Sequence, residues 1–187
     1  MNKIIDKMID YMFDKGIVYI TERTDEENIL TPTLVIIPTN GEVLATSLPD
    51  YLSGKDQFQI CTKILKEAEK GSLIMPDCPK NKKSRLGVFL YFTEVWLAPK
   101  KVNIRPTLYP ERKTAILGIA GDVDGYYQGM QIVSAYNGKS VVGDREIIKF
   151  NLNDNCGGRF IYILNNRKLK FKKMDNEAIS KALAEIP

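Results

Sequence analysis

The chain has 187 residues, of which 44% are hydrophobic and 27% charged, and this is ordinary for one globular domain with a buried core. Its 27 basic and 23 acidic residues leave a formal net charge of +4, too small by itself to indicate a polyanionic partner. It contains no histidine, which excludes Ser-His and Cys-His nucleophile pairs and every His-containing zinc site.

Two further absences bound the class of protein. No apolar run approaches the ~18 residues of a membrane span, and the N-terminus lacks the apolar core of a signal peptide. The three cysteines are far apart in sequence and form no C-x-x-C pair, which fits a reducing compartment. Nucleotide-binding, hydrolase and metal-ligand motifs are missing too. We therefore expect a cytoplasmic protein, or one packaged in a virion, without a cofactor, a metal or a membrane partner.

An amphipathic helix is predicted over residues 3–15. The apolar side chains recur at helical spacing, and the charged ones lie mostly on the opposite side; the apolar set is Ile4, Ile5, Met8, Ile9, Met12 and Phe13. Gly16 is expected to end this helix, and residues 17–20 are expected to form a short strand.

A β-hairpin and a second helix follow. Asn40-Gly41 separates two β-rich runs, residues 33–38 and 42–47, and predicts a tight turn in which both residues adopt positive φ. The second helix should end at Gly71, since apolar residues recur before it at helical spacing; they are Phe58, Cys61, Ile64, Leu65 and Ala68.

Residues 87–98 have the highest density of β-branched and aromatic side chains in the chain and predict a strand. Alternation places Phe89 and Tyr91 on one face, with Leu90 and Phe92 on the other. Because both faces are apolar, this strand is expected to be interior and covered on two sides.

The rest of the chain predicts an antiparallel meander. After a proline-punctuated crossing at residues 99–113, strands are expected at 114–120, 126–136, 145–150, 160–164 and 167–173, with turns at 122–125, 137–138 and 165–166. Asp175 should cap a last helix over 176–186. The order predicts one α+β domain over residues 1–187: a mostly antiparallel sheet with covering helices and a central strand at about 87–98.

Glu94 is the one charge inside the predicted central strand. An ionised carboxylate there is costly unless it is paired, and we expect Arg105 or Arg112 as the partner. A ligand-binding or acid-base carboxylate in a cleft lined by Trp96 is one interpretation. The favoured one is structural: an ion pair that holds the crossing segment, or a shorter strand with Glu94 in water.

The residues around Glu94 also carry a resemblance. Thr93-Glu94-x-Trp96, followed by Arg105-Pro106-Thr107-x-x-Pro110-x-Arg112, resembles a pattern in uncharacterised bacterial and phage proteins. It covers residues 93–112 and implies a bacterial or phage origin, without an activity. The candidate binding residues are Glu94, Trp96, Arg105 and Arg112.

Residues 159–173 contain six basic residues and no acidic one: Arg159, Arg167, Lys168, Lys170, Lys172 and Lys173. Interleaved Phe160, Tyr162 and Phe171 could stack on bases, so this segment is a candidate site for nucleic acid or another anion. The favoured alternative is an edge strand whose lysines prevent edge-to-edge aggregation.

Three functions are compatible with these patterns. The leading hypothesis is a non-enzymatic protein-binding or assembly module of a bacterium or phage, acting through protein–protein contacts that include self-association. The second is a nucleic-acid-binding protein that uses residues 159–173. The third is a carboxylate-based enzyme centred on Glu94, with Asp122 or Asp124 as a second acid. Asp122-x-Asp124-Gly125 also matches the opening of a calcium loop, but the later ligand positions are missing and turn chemistry is the favoured interpretation.

Overall fold

A computed structural model describes residues 2–23, 29–71, 85–97, 113–136, 139–150 and 168–187. Within these ranges the helices are α1 Lys3–Glu22, α2 Gly54–Lys70 and α3 Asn176–Glu185. The strands are β1 Thr33–Pro38, β2 Leu44–Ser47, β3 Leu86–Leu97, β4 Lys113–Asp122, β5 Gly125–Tyr136 and β6 Lys139–Phe150. They form one sheet in the order β2-β1-β3-β4-β5-β6, and every neighbouring pair is antiparallel. The predicted α+β class is confirmed, with β3 interior between β1 and β4.

The sheet carries helices on both faces. Leu90 and Phe92 of β3 pack with α1 and α3 in one cluster, whereas Phe89 and Tyr91 pack with α2 in a second cluster. The predicted assignment of these side chains to two apolar faces is therefore confirmed. Lys7 of α1 also binds α3, since its ammonium group donates to carbonyl oxygens at the C-terminal end of α3 at 2.6 and 2.8 Å.

The prediction that Gly16 ends the first helix is wrong, because α1 continues through it to Glu22 and includes the residues expected to form a strand. Gly16 is where the helix touches the sheet. A Cβ atom there would lie 2.8 Å from Phe92 and 2.9 Å from Ile116, both buried. The glycine thus permits close helix–sheet packing, a role that the local sequence does not distinguish from a helix stop.

The hairpin between β1 and β2 is confirmed, but its turn differs from the predicted one. The amide of Gly41 donates to the carbonyl of Pro38 at 2.9 Å, and Gly41 has φ 78°. Asn40 is not among the described residues with positive φ, so the two-residue turn with both φ values positive is wrong. Gly41 is required because a Cβ atom there would overlap the Ala178 carbonyl oxygen of α3.

Residues 168–175 form an irregular strap instead of the predicted edge strand. Phe171 stacks on Phe89 in the α2-side cluster at 6.0 Å between ring centroids, whereas Met174 packs in the cluster on the α1 side. Between them the strap passes the start of β3, where a Cβ atom on Gly87 would lie 2.8 Å from Met174. The predicted alternation of lysine and apolar side chains is still observed.

The remaining predictions have mixed outcomes. Asp175 caps α3 by accepting from the amide of Ala178 at 2.8 Å, as expected. β6 starts at Lys139, earlier than residue 145, because the strand pairs with β5 from its first residue. The turn at 137–138, the predicted strand at 160–164, the turn at 165–166 and most of the crossing at 99–113 fall outside the described residues.

Candidate functional site

Glu94 lies on the α1 side of β3 and is enclosed by hydrogen-bond donors. Arg23 donates from Nη1 to Oε2 at 2.7 Å and from Nη2 to Oε1 at 2.9 Å. The amide of Leu30 donates to Oε2 at 3.0 Å, and the indole Nε1 of Trp96 donates to Oε1 at 3.2 Å. The carboxylate side chain is 1% exposed, so its charge is balanced and both oxygens are satisfied.

Arg23 is the partner that sequence reasoning missed. It is the C-cap of α1 and lies 71 positions before Glu94 in the chain. The candidates chosen from the sequence, Arg105 and Arg112, fall in the part of the chain that the structure does not describe. An arginine at the end of a predicted helix could have indicated this partner. It was not considered because the helix was expected to end at Gly16, before Arg23.

This arrangement is that of a structural clamp. Glu94 links the end of α1, the residues that precede β1 and the Trp96 side chain. Arginine suits this role because its planar guanidinium binds both oxygens of a carboxylate at once. A general acid, base or ligand-binding carboxylate must meet its substrate within hydrogen-bond distance. The described geometry of Glu94 offers no oxygen for that contact.

The acidic pair at the β4–β5 turn has mainly local chemistry. Oδ1 of Asp122 accepts from the amide of Asp124 at 2.8 Å, which agrees with turn chemistry. Asp122 is 1% exposed, and among the described residues its Oδ2 and the buried hydroxyl of Tyr127 have no hydrogen-bond partner. Burial raises the pKa of Asp122. For Tyr127, burial is the larger cause and the negative charge of Asp122 the next, and together they raise its pKa to about 12.

Chemistry by metal or thiol finds little support in the described part of the chain. No three Cys, Asp or Glu side chains there are arranged to hold a metal ion. Cys61 is free and buried, and burial raises the pKa of its thiol to about 12, so its reactive thiolate is suppressed at neutral pH.

In the basic segment the described lysines are available to a ligand, but one of the proposed stacking residues is buried. The side chains of Lys168, Lys170, Lys172 and Lys173 are all exposed. Phe171 is buried against Phe89 and Tyr126, which makes its ring unavailable to a base. Arg159, Arg167, Phe160 and Tyr162 belong to ranges outside the described ones.

β6 is the edge strand of the described part of the sheet and carries an apolar surface that the sequence analysis did not select. Its most exposed apolar side chains are 39–60% accessible, namely Val141, Val142, Ile147 and Ile148. α1 packs over β3, β4 and β5, and α2 packs over β1 and β3. β6 therefore lies beyond the main cover of both helices.

Strand register distributes these side chains over both faces of the sheet. Val142 pairs with Val133, a member of the α1-side cluster, so Val141 points to the α2 side. The same register places Ile148 on the α2 side, opposite Gln128 and diagonal to half-buried Met130, whereas half-buried Ile132 lies farther along β5 towards Val141. The exposed Glu146, opposite Met130, lies on this side as well. We call these four the β6 apolar face: Met130, Ile132, Val141 and Ile148. In the sequence, the adjacent apolar pairs Val141-Val142 and Ile147-Ile148 could have indicated this exposed surface.

Comparison of the chain with protein-family models, with curated proteins and with solved structures finds no match. The resemblance at residues 93–112 therefore stays a prediction.

None of the helices in the described ranges is both long enough and apolar enough to span a bilayer.

Proposed function

We propose that this chain is a non-enzymatic assembly module that binds protein subunits, further copies of itself included, through the β6 apolar face. The observation that carries the proposal is the exposure of Val141 and Ile148, 60% and 51%, on the same side of β6, the last strand of the sheet within the described residues. Single exposed apolar residues are ordinary, but contiguous ones on a sheet face are typical of interfaces.

The shape of β6 favours docking by side chains over addition of a strand. Two residues of β6, Gly143 and Asp144, stand opposite Ile132 of β5 and form a bulge. Asp144 within the bulge and Glu146 beyond it carry negative charges. Bulges and charges on an edge disfavour regular strand pairing, so a partner would meet the apolar side chains on the α2 side.

A second copy of the chain is the simplest occupant, because an apolar face can pack against its own symmetry mate. The same face would also accept an apolar surface of another subunit of a larger assembly. A carboxylate-based enzyme centred on Glu94 is the less supported alternative, since the carboxylate is sealed against Arg23.

Light scattering across a concentration series, combined with a pull-down on immobilised protein, tests the proposal. We expect association that the pair V141E/I148E abolishes, because it places charges on the β6 apolar face. The pair V18E/V123E is the matched control, since both valines are exposed, on α1 and in the β4–β5 turn, and it should associate like the unmodified chain. A strict monomer that retains no partner contradicts the proposal.

A further inference from the structure

The strap 168–175 carries a cluster of lysines without an acidic partner among the described residues. Four of its first six residues are lysines with exposed side chains: Lys168, Lys170, Lys172 and Lys173. Within the described ranges, none of these ammonium groups lies within ion-pair distance of a carboxylate. Their mutual repulsion is thus not offset by acids of the described chain.

The backbone beneath these lysines is anchored at several points. Leu169 and Phe171 are buried in the α2-side cluster, and Met174 is buried on the other side of the sheet. The amide of Lys172 donates to the carbonyl of Leu86 at 2.9 Å. The lysine side chains therefore project from a fixed support, which reduces the entropy lost when they bind a ligand.

Lys168 has a backbone conformation that lysine rarely adopts. Its φ of 48° is in the left-handed region, and it is the one described residue other than glycine with a positive φ. That conformation is strained for a residue with a Cβ atom, and glycine or asparagine would lower the cost. A lysine at this position suggests a use for its side chain.

Neighbouring elements add cations to this surface. The ammonium of Lys66 in α2 donates to the carbonyl of Lys168 at 3.3 Å, and the guanidinium of Arg85 donates to the carbonyl of Lys70 at 2.9 Å. Lys66 and Lys70 are themselves paired with Glu69 and Glu67. Among the described residues, the unbalanced charge therefore comes from the four strap lysines.

We propose that the four strap lysines bind the phosphate backbone of a nucleic acid without reading its sequence. Regularly spaced phosphates satisfy several lysines at once, and such contacts carry no base information. Within the described residues the site offers no ring for base stacking, because Phe171 is buried. Insertion into a lipid surface is also disfavoured, because the apolar residues of the strap, Leu169 and Phe171, point into the protein core.

Fluorescence anisotropy with a labelled 20-base-pair duplex of arbitrary sequence tests this site at several salt concentrations. If all four lysines each neutralise a phosphate, the slope of log K against log salt should be about −3.6. The variant K168E/K170E/K172E should weaken binding at least about tenfold at low salt. The neutral variant K168Q/K170Q/K172Q should reduce the size of the slope by about 2.7.

The matched control is K15E/K55E/K113E, which reverses three exposed lysines away from the strap, in α1, α2 and β4. Both reversals change the net charge from +4 to −2, so only the local site distinguishes them. Circular dichroism should show that both remain folded. The control should bind like the unmodified chain; equal loss in both variants, or equal binding by both, overturns the site.

Two other polyanions test whether the strap lysines prefer a nucleic acid to an acidic polypeptide or an anionic lipid surface. Poly-glutamate and vesicles with anionic lipid are offered at the same charge concentration as the duplex. We expect the duplex to be preferred over both, whereas binding of either one without the duplex overturns the proposal. This test is independent of the β6 apolar face, since V141E/I148E should leave duplex affinity unchanged apart from a small effect of net charge.

Discussion

Arg23 and Glu94 are 71 positions apart and meet in a two-pronged ion pair, with nitrogen–oxygen distances of 2.7 and 2.9 Å. Their side chains are 10% and 1% exposed. The pair ties the C-terminal end of α1 to the interior strand β3 and adds a polar link to the apolar packing of this helix on the sheet. A buried carboxylate left without its arginine keeps the cost of desolvation and loses the compensating charge.

Removing either partner should therefore destabilise the fold. We expect Arg23→Met or Glu94→Ala to lower the free energy of unfolding by about 3–5 kcal/mol, measured by urea denaturation. The double variant R23M/E94L should lose less than the sum of the single losses, because neither charge is then left alone. Additive losses, or a loss below about 1 kcal/mol in either single variant, would show that the pair is not a clamp.

Gly16 permits α1 to approach the sheet, and Gly16→Ala should show this. Alanine gains about 1 kcal/mol in helix propensity, but its Cβ atom would lie 2.8 Å from the buried Phe92 ring. Overpacking of this kind costs about 1–3 kcal/mol, so we expect a net loss of stability in thermal and urea unfolding. Gly54→Ala is the control, because no atom lies within 4 Å of its Cβ position; a stabilised Gly16→Ala variant would refute the explanation.

Asp122 should make stability depend on pH. Burial raises its folded pKa above the ordinary 3.8, so the folded state holds its proton more tightly than the unfolded state. Its contribution to stability is therefore present below pH 3.8 and is lost as the pH rises through the raised folded value. Asp122→Asn removes this dependence. We therefore expect the free energy of unfolding of the variant, measured in urea, to rise relative to that of the unmodified chain as pH increases from 4 to 7. A difference between the two that is constant with pH would contradict the assignment.

Tyr127 offers a related test without a charge. Its buried hydroxyl has no hydrogen-bond partner among the described residues, and such a group costs about 1–3 kcal/mol. Tyr127→Phe removes the hydroxyl and keeps the ring in the α1-side cluster. We expect thermal unfolding to show equal or higher stability, and a loss of more than about 1 kcal/mol would indicate that the hydroxyl has a partner after all.

Arg145 ties the edge strand to α1. Its guanidinium binds Asp10 and Asp14, with Nη2 at 2.7 Å from Asp14, and lies 5.0 Å from the centre of the Phe13 ring. Both carboxylates are largely exposed, so solvent screens these pairs and Arg145→Gln should cost at most about 1 kcal/mol globally. Hydrogen exchange should nevertheless accelerate at the β5–β6 amides; unchanged exchange would mean that Arg145 does not hold the edge.

Patterns of short range predicted much of the fold. Alternation in β3 assigned Phe89 and Leu90 to opposite apolar faces, and this was right because a strand alternates its side chains whatever it packs against. The caps Gly71 and Asp175 were right for a similar reason, since a cap satisfies backbone groups within its own turn.

Other features depend on neighbours that are distant in the chain. Gly16 reads locally as a helix stop, but contact with Phe92 and Ile116 makes it an interior helical residue. The strap at 168–175 has the alternation of a strand, yet its apolar side chains fill both faces at the start of β3 instead of extending the sheet edge.

The sequence by itself determined most of the periodic elements, the two-sided burial of β3 and the cost of leaving a buried Glu94 unpaired, because these follow from local sterics and the cost of burying charge. Tertiary structure alone decided that Arg23 supplies that cation, that Phe171 is core and that Val141 and Ile148 share an open face. Those outcomes are set by which elements meet in space, and a one-dimensional pattern carries no distance between residues far apart in the chain.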